Sequence, residues 1–267
     1  RMQLQFRLLL ITGLSALSLI AEPMRPGIGI VSSYKKGVTL TNDSGVKQKL
    51  NLHYTFNANG LRIQTDKNGK LIVVLANGVS LGFSDQNEAS ISTFEEEPFG
   101  SSKEGFEYEP STSNLEILLK KGSIGISCDH LSPLSNFIVR TPVGDLKIFS
   151  STCVLTLDDY GVRVSAYDGT STFYYKNNKS REFIAVPQSV RISEQSAKLK
   201  VIASEKTVDL VETESQRLAD SVLYARKRIL FRFDAENTNP VPIIVLNKSF
   251  YDQESVIDYS YKEKPIE

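Results

Sequence analysis

From Gly27 to about Ile192, apolar residues recur at every second position in short runs broken by glycine-containing turns. A period of two sends alternate side chains to opposite faces of a strand, so one face can enter a core while the other meets water. The alternation is clearest in Val162-Arg163-Val164-Ser165-Ala166. Asn68-Gly69 divides Leu61–Thr65 from Lys70–Ala76, Asn77-Gly78 divides that run from Val79–Phe83, and Asp168-Gly169 divides Val162–Tyr167 from Thr170–Tyr175. These dipeptides accept the positive φ that a two-residue hairpin turn requires, so each predicts a chain reversal. The fold class expected is mainly β: an antiparallel sandwich-like domain of short hairpin strands, favoured over a single-coil solenoid because the turns reverse the chain.

Three segments depart from this pattern. Between Phe94 and Ser113 the chain is rich in Glu, Ser, Gly and Pro without an apolar period, which predicts a long surface loop. Its Phe99, Phe106 and Tyr108 either cover an open end of the sheet or face a ligand. Between Val208 and Lys227, Val211, Leu218, Val222 and Ala225 form a stripe at helical spacing. Thr213 and Gln216 have the spacing of a capping box there, and Arg226-Lys227-Arg228 suits the negative end of a helix dipole. Ile229–Phe233 then alternates as a strand, and Pro240-Val241-Pro242 interrupts before Ile243–Leu246. At the other end, Arg1 and Arg7 flank the start of an apolar run, Leu8 to Ile20, that is shorter than the roughly 20 residues a membrane crossing needs. It reads as a secretory signal peptide over residues 1–21, cleaved after Ala21, with an uncleaved anchor as the alternative, and no later stretch could span a bilayer. The organisation expected is thus signal peptide 1–21, β domain 22–192, and a C-terminal helix with an accessory β segment over 193–267.

Composition narrows the function classes. Hydrophobic residues at 40% and charged residues at 23% suit a folded globular chain. Thirty-one basic residues balance thirty-one acidic ones, so no overall field draws in nucleic acid, and none is expected as a partner. Cys128 and Cys153 fit either one disulfide or two buried free thiols, and their spacing matches no zinc pattern. Cys128-Asp129-His130 lacks further ligands at metal-binding spacing, and Asp158-Asp159 before Tyr160-Gly161 is explained by a hairpin turn as well as by calcium. His53, in Asn51-Leu52-His53-Tyr54-Thr55-Phe56, reads as a surface-facing strand residue, and His130 stands in a loop before Pro133. Neither has an identifiable catalytic partner. The chain contains no Gly-x-Ser-x-Gly elbow, His-Glu-x-x-His pair, phosphate-binding glycine loop or dinucleotide fingerprint. No catalytic, cofactor-binding or metal-binding residue is assigned, no cofactor is expected, and the chain is read as not an enzyme.

Three blocks together resemble the FecR domain family. Phe137-Ile138-Val139-Arg140-Thr141-Pro142-Val143-Gly144 is similar to that family's apolar strand ending in a Thr-Pro-x-Gly turn. Asn59-Gly60-Leu61-Arg62-Ile63-Gln64-Thr65 followed by Leu71–Val79 resembles its glycine, apolar and threonine strand with the next strand, and Val162–Gly169 its strand-and-glycine repeat. Where the family carries a Gly-Thr pair and an aromatic, this chain has Ser151-Thr152-Cys153-Val154. In this reading Pro142 ends a strand by removing a ladder donor and Gly144 permits a tight turn. The resemblance implies an exported bacterial protein, periplasmic or secreted, acting as a binding module for an envelope protein or polysaccharide. The alternative it implies is a periplasmic regulator that relays a sensor to an anti-sigma pathway.

Overall fold

The computed structural model describes residues 24–98, 111–129, 131–176, 180–193, 200–202, 210–232 and 241–244; the expected signal segment, Phe99, Phe106, Tyr108 and His130 lie outside the described residues. The strands are β1 (Arg25–Pro26), β2 (Ile28–Tyr34), β3 (Val38–Thr41), β4 (Lys47–Gln48), β5 (Thr55–Asn57), β6 (Leu61–Thr65), β7 (Leu71–Leu75), β8 (Ser80–Phe83) and β9 (Glu88–Glu96). The long β10 (Ser113–Cys128), β11 (Asn136–Arg140), the long β12 (Gly144–Asp158) and β13 (Gly161–Tyr175), β14 (Arg181–Ala185), β15 (Ser189–Ile192) and β16 (Lys200–Ile202) follow. Helix α1 (Leu210–Arg228) leads into β17 (Ile229–Arg232), which pairs with β18 (Val241–Ile244) in a separate two-stranded sheet.

The first sixteen strands form one hydrogen-bonded sheet folded into two layers. The first layer runs β4-β3-β6-β9-β10-β11-β12-β13-β14 and the second β5-β2-β7-β8-β10-β12-β13-β15-β16, so β10, β12 and β13 belong to both. Pairing is antiparallel except between β10 and β11. That parallel pair shows that β10 must fold over. A straight 16-residue strand would put Cys128 about 50 Å from Ser113, yet the chain returns from Cys128 to Asn136, beside Asn114, through a connection that reaches at most about 29 Å. The bend falls at Gly122, whose φ of 91° is closed to most side chains and where an added Cβ would lie 2.9 Å from the Cα of Asn87.

Inner faces of both layers meet in one core that includes Leu61, Ile91, Ile117, Phe137, Leu146 and Phe173 from the first layer and Leu71, Val73, Leu81, Phe83, Ile124 and Val164 from the second. A second apolar cluster joins the outer face of the second layer, through Ile30, Ile72, Val74, Ala76 and Val154, to Leu218, Ala219, Val222 and Ala225 of α1 and to Ile229 and Phe231 of β17. Leu71-Ile72-Val73-Val74-Leu75 is therefore an unbroken apolar run because both faces of β7 are buried. The helix comes close because paired strand positions beneath it are glycines. Gly82 faces Gly125 across β8 and β10, and a Cβ would lie 2.7 Å from Val222 Cγ1 at Gly82 and 2.7 Å from Leu218 Cγ at Gly125.

Several expectations change in the folded chain. Asn77-Gly78 does join two paired strands, β7 and β8. Asn68-Gly69 instead carries the chain between layers, since β6 pairs with β3 and β9 while β7 pairs with β2 and β8. Asp168-Gly169 makes no hairpin at all: β13 continues through it, with Gly169 at φ 65° where the strand crosses layers and where a Cβ would collide with the carbonyl oxygen of Ser150. The loop expected from Phe94 to Ser113 is shorter at both ends, because Phe94 and Ser113 both lie within the β9–β10 ladder and Phe94 is fully buried against Gly27. Helix α1 begins at Leu210, so Thr213 lies inside it and the Thr213–Gln216 box is not its N-terminal cap; Gln216 Nε2 donates to Asp220 Oδ1 at 2.9 Å. Leu218, Val222 and Ala225 of the expected stripe are buried, and the side chain of Val211 lies outside the described residues. Pro242, expected to precede the last strand, pairs within it opposite Phe231; each strand of a two-stranded sheet has an open edge that tolerates a missing N–H.

Replacing Gly125 by Ala should press a methyl group into Leu218 and destabilise the protein by about 1–3 kcal/mol in urea titrations. Adding Leu218→Ala should recover part of that loss, so that the two changes are non-additive in a double-mutant cycle.

Candidate interaction surface

The two outer faces of the sandwich differ. Helix α1 covers much of the second layer, whereas β11, β12, β13 and β14 of the first layer present their outward side chains in two cross-strand rows. One row reads Arg140, Asp145, Tyr174, Arg181 and the other Ile138, Lys147, Thr172, Phe183. Phe149 projects beside them at the irregularity between Ile148 and Ser150. Phe149, Tyr174 and Phe183 are 44%, 39% and 61% exposed. Large apolar rings grouped on one open face are the feature that marks contact surfaces, more than single exposed side chains do.

Charge on this face is unevenly balanced. Arg140 is held between two carboxylates, with Nε 2.7 Å from Glu116 Oε1, Nη2 donating to Glu116 Oε2 at 2.9 Å and Nη1 donating to Asp145 Oδ2 at 2.8 Å. The hydrogen bond from Arg140 holds the Glu116 carboxyl below its ordinary range despite partial burial. Lys147 and Arg181 instead lie over aromatic rings, with Lys147 Nζ 5.0 Å from the Phe149 centroid and Arg181 Cζ 5.1 Å from that of Phe183. Neither is paired with a carboxylate among the described residues. The face thus joins three exposed rings to two uncompensated cations.

The Thr-Pro-x-Gly turn positions this face by joining β11 to β12. Thr141 Oγ1 donates to Gly144 O at 2.7 Å and accepts from the N–H of Gly144 at 3.1 Å, closing the turn from within. The sequence reading gave Gly144 the role of a permissive turn residue; it instead begins β12, where a Cβ would collide with the carbonyl oxygen of Tyr174 and lie 2.7 Å from the Phe173 ring. Its constraint is close packing.

A cleft of about 900 Å³ opens at the end of the sandwich where β10 folds over. Lys70, Gln86, Lys121, Asp159, Ser123 and Thr156 are among the residues that line it. The Ser123 and Thr156 hydroxyls bond each other at 2.9 Å. Asp158, singled out in the sequence with Asp159, is gripped by Arg191 through Oδ1 at 3.0 Å and Oδ2 at 3.1 Å, and it accepts the N–H of Tyr160 at 2.8 Å, as a hairpin turn requires.

The remaining sequence candidates are dispersed. His53 is exposed as expected but stands in a turn ahead of β5, with φ 59°; Tyr54 N–H donating to Asn51 O at 3.3 Å closes that turn where a strand was expected, and His53 N–H donates to Val31 O at 2.8 Å. Partial burial and the positive charge of Arg228 lower its pKa. Cys128 and Cys153 are free and buried, on adjacent strands but not directly opposite, since Cys153 faces Ile126 and Cys128 faces Ser151. Among the described residues no group of three or more His, Cys, Asp or Glu side chains could hold a metal ion. The exposed rings of β12 to β14 escaped the sequence reading because an outward-facing aromatic in an alternating strand looks the same as one that packs on a neighbouring element. The only signal was that Phe149, Tyr174 and Phe183 all occupy polar-phase positions of their strands.

No protein-family model matches the chain. No curated protein sequence matches it. Among solved structures it is similar to two crystal structures from Parabacteroides distasonis, each described as a candidate anti-sigma factor. One aligns over 52% of this chain and 58% of its own length at 12% identity with a TM-score of 0.40. The other aligns over 69% of this chain and 99% of its own at 11% identity with a TM-score of 0.41.

Burial pushes the thiols of Cys128 and Cys153 up to about 12. An unfolded chain loses these protons above its ordinary thiol range, near about 8.5, while the folded chain keeps them. The thiols therefore cost no stability below that range and progressively more as pH rises toward about 12. A thiol reagent at about pH 8 should modify neither cysteine until denaturant is added, and the alkaline loss of stability should be shallower in a Cys128→Ala/Cys153→Ala double variant.

Proposed function

We propose that this chain is a non-catalytic, FecR-like protein exported to the bacterial cell envelope, where the open face of its first layer binds another envelope component. The observation that carries this reading is the asymmetry of the sandwich: one outer face lies under α1, and the other gathers Phe149, Tyr174 and Phe183 with the uncompensated Lys147 and Arg181. Aromatic rings and arginine are the groups that contribute most to protein interfaces. The FecR-like reading rests on the three sequence blocks, which fall on β6 to β8, on β11 with its turn, and on β13. Export rests on the apolar segment at the start of the sequence.

The non-catalytic reading is supported by how the chemically able side chains are engaged. Asp158 is bound by Arg191, the Ser123 and Thr156 hydroxyls satisfy each other, both thiols are in the core, and His53 stands on an exposed turn. None of these arrangements places a base against a nucleophile.

The test is an affinity capture from envelope extract with the tagged protein as bait, compared with a Lys147→Ser/Phe149→Ser/Tyr174→Ser variant of equal thermal stability. The partner should be retained by the unaltered chain and reduced at least about tenfold with the variant. Equal retention by both would remove the face from binding, and recovery of a TonB-linked receptor or an anti-sigma protein would move the function to sensor relay.

A further inference from the structure

Among the described residues, strand β14 closes the first layer with an edge that is longer than the others. The strands that end the two layers are β4 with two residues, β5 and β16 with three each, and β14 with five. Its hydrogen-bond phase can be read from its two ends. At one end, Tyr175 N–H donates to Ser180 O, which makes Tyr175 and Ser180 a hydrogen-bonded pair. Such pairs alternate with non-hydrogen-bonded ones along an antiparallel ladder. Glu182 and Ile184 therefore bond to β13, and Arg181, Phe183 and Ala185 turn their N–H and C=O groups outward. At the other end, Ala185 confirms the phase: its N–H donates to Gln188 Oε1 at 3.2 Å and its carbonyl accepts from Gln188 N–H at 2.9 Å, so both groups point away from β13.

Gln188 thus caps the last outward-facing residue, and the backbone groups of Arg181 and Phe183 have no partner among the described residues. Unpaired strand groups of this kind are a template for an added strand. The same two residues carry the outward side chains: an exposed ring at Phe183 and, over it, a guanidinium with no carboxylate partner among the described residues. Lys147 lies two strands away in the row of Phe183.

We propose that this edge takes up an extended segment of another protein by strand addition, with an apolar residue opposite Phe183 and an acidic residue opposite Arg181. This rests on the interaction reading above and names the partner's chemistry. An antiparallel segment uses all four open backbone groups, and its apolar and acidic residues stand two apart, on one face. Glu182 points to the inner side and so does not oppose the acidic residue.

The probe is a fluorescein-labelled peptide of about eight residues, alternating valine and threonine, with glutamate two positions after a valine on the same face; a control peptide carries lysine in place of that glutamate. Binding is read by fluorescence anisotropy on the full chain. The unaltered protein should bind the glutamate peptide at least about tenfold more tightly than the lysine peptide, and Arg181→Glu should reverse that order. Phe183→Pro should abolish binding while leaving the protein folded, because the N–H it removes faces the open edge and not the ladder. Phe183→Thr, which keeps the N–H, should retain part of the affinity.

Equal binding of the two peptides, no binding by the unaltered chain, or unchanged binding by Phe183→Pro would each overturn the proposal. So would a dimer in sedimentation that Phe183→Pro dissolves, since the edge would then be occupied by a second copy. Failure here with a partner still captured from envelope extract, and lost in the Lys147→Ser/Phe149→Ser/Tyr174→Ser variant, would leave the face as the binding element without the edge.

Discussion

The architecture depends on strands that change layers without leaving their ladders. Strands β10, β12 and β13 each supply hydrogen bonds to both layers, so the two inner faces are held at a set offset and one core forms between them. A strand can turn such a corner only where its backbone leaves the extended region or an extra residue is inserted. In β10 the corner is Gly122, in β12 the irregularity at Phe149, and in β13 Gly169. The two glycine corners cannot gain a side chain cheaply, because the neighbouring chain already occupies the space a Cβ would need. The cleft at one end of the sandwich is a direct result, since it lies where β10 folds and the loops of both layers gather.

Helix α1 then breaks the symmetry between the outer faces. Its apolar stripe of Leu218, Val222 and Ala225 needs a shallow surface, and the second layer supplies one through Gly82, Gly125 and the small side chains of Ser80 and Ser127. Arg226 adds a polar contact there, with Nε donating to Ser127 Oγ at 3.2 Å and Nη1 3.5 Å from Asp129 Oδ2. The first layer's outer face, between Arg140 and Arg181, carries bulky rings and charges in place of small residues. Burial of apolar area explains the first face, and the second keeps rings in contact with water at a cost that a bound partner would offset.

Much of the local structure was readable in advance. Strands β6, β7, β8 and β11 fall where the alternation and the glycine turns put them, and α1 lies within two residues of its expected limits. The errors cluster at glycine turns. Asn68-Gly69, Asn77-Gly78 and Asp168-Gly169 are equivalent as local chemistry, yet one joins the layers, one closes a hairpin and one bends a continuous strand. Positive φ reports that the backbone departs from a strand at that point and carries no information about where the next segment goes.

By itself the sequence determined that this is a two-faced β chain with one amphipathic helix, because side-chain alternation and helical periodicity are set by neighbours a few residues apart. The alternation implied strands with one wet face, and at Leu71–Leu75 packing of α1 on the outer side buries both faces instead. Tertiary structure alone decided that the three long strands fold over, that α1 covers the second layer, and that Phe149, Tyr174 and Phe183 share one outer face, beside an edge of β14 that is open among the described residues. Those outcomes depend on pairing between residues far apart in the chain, and register across strands is chosen by the packing of the whole core, which no local window contains.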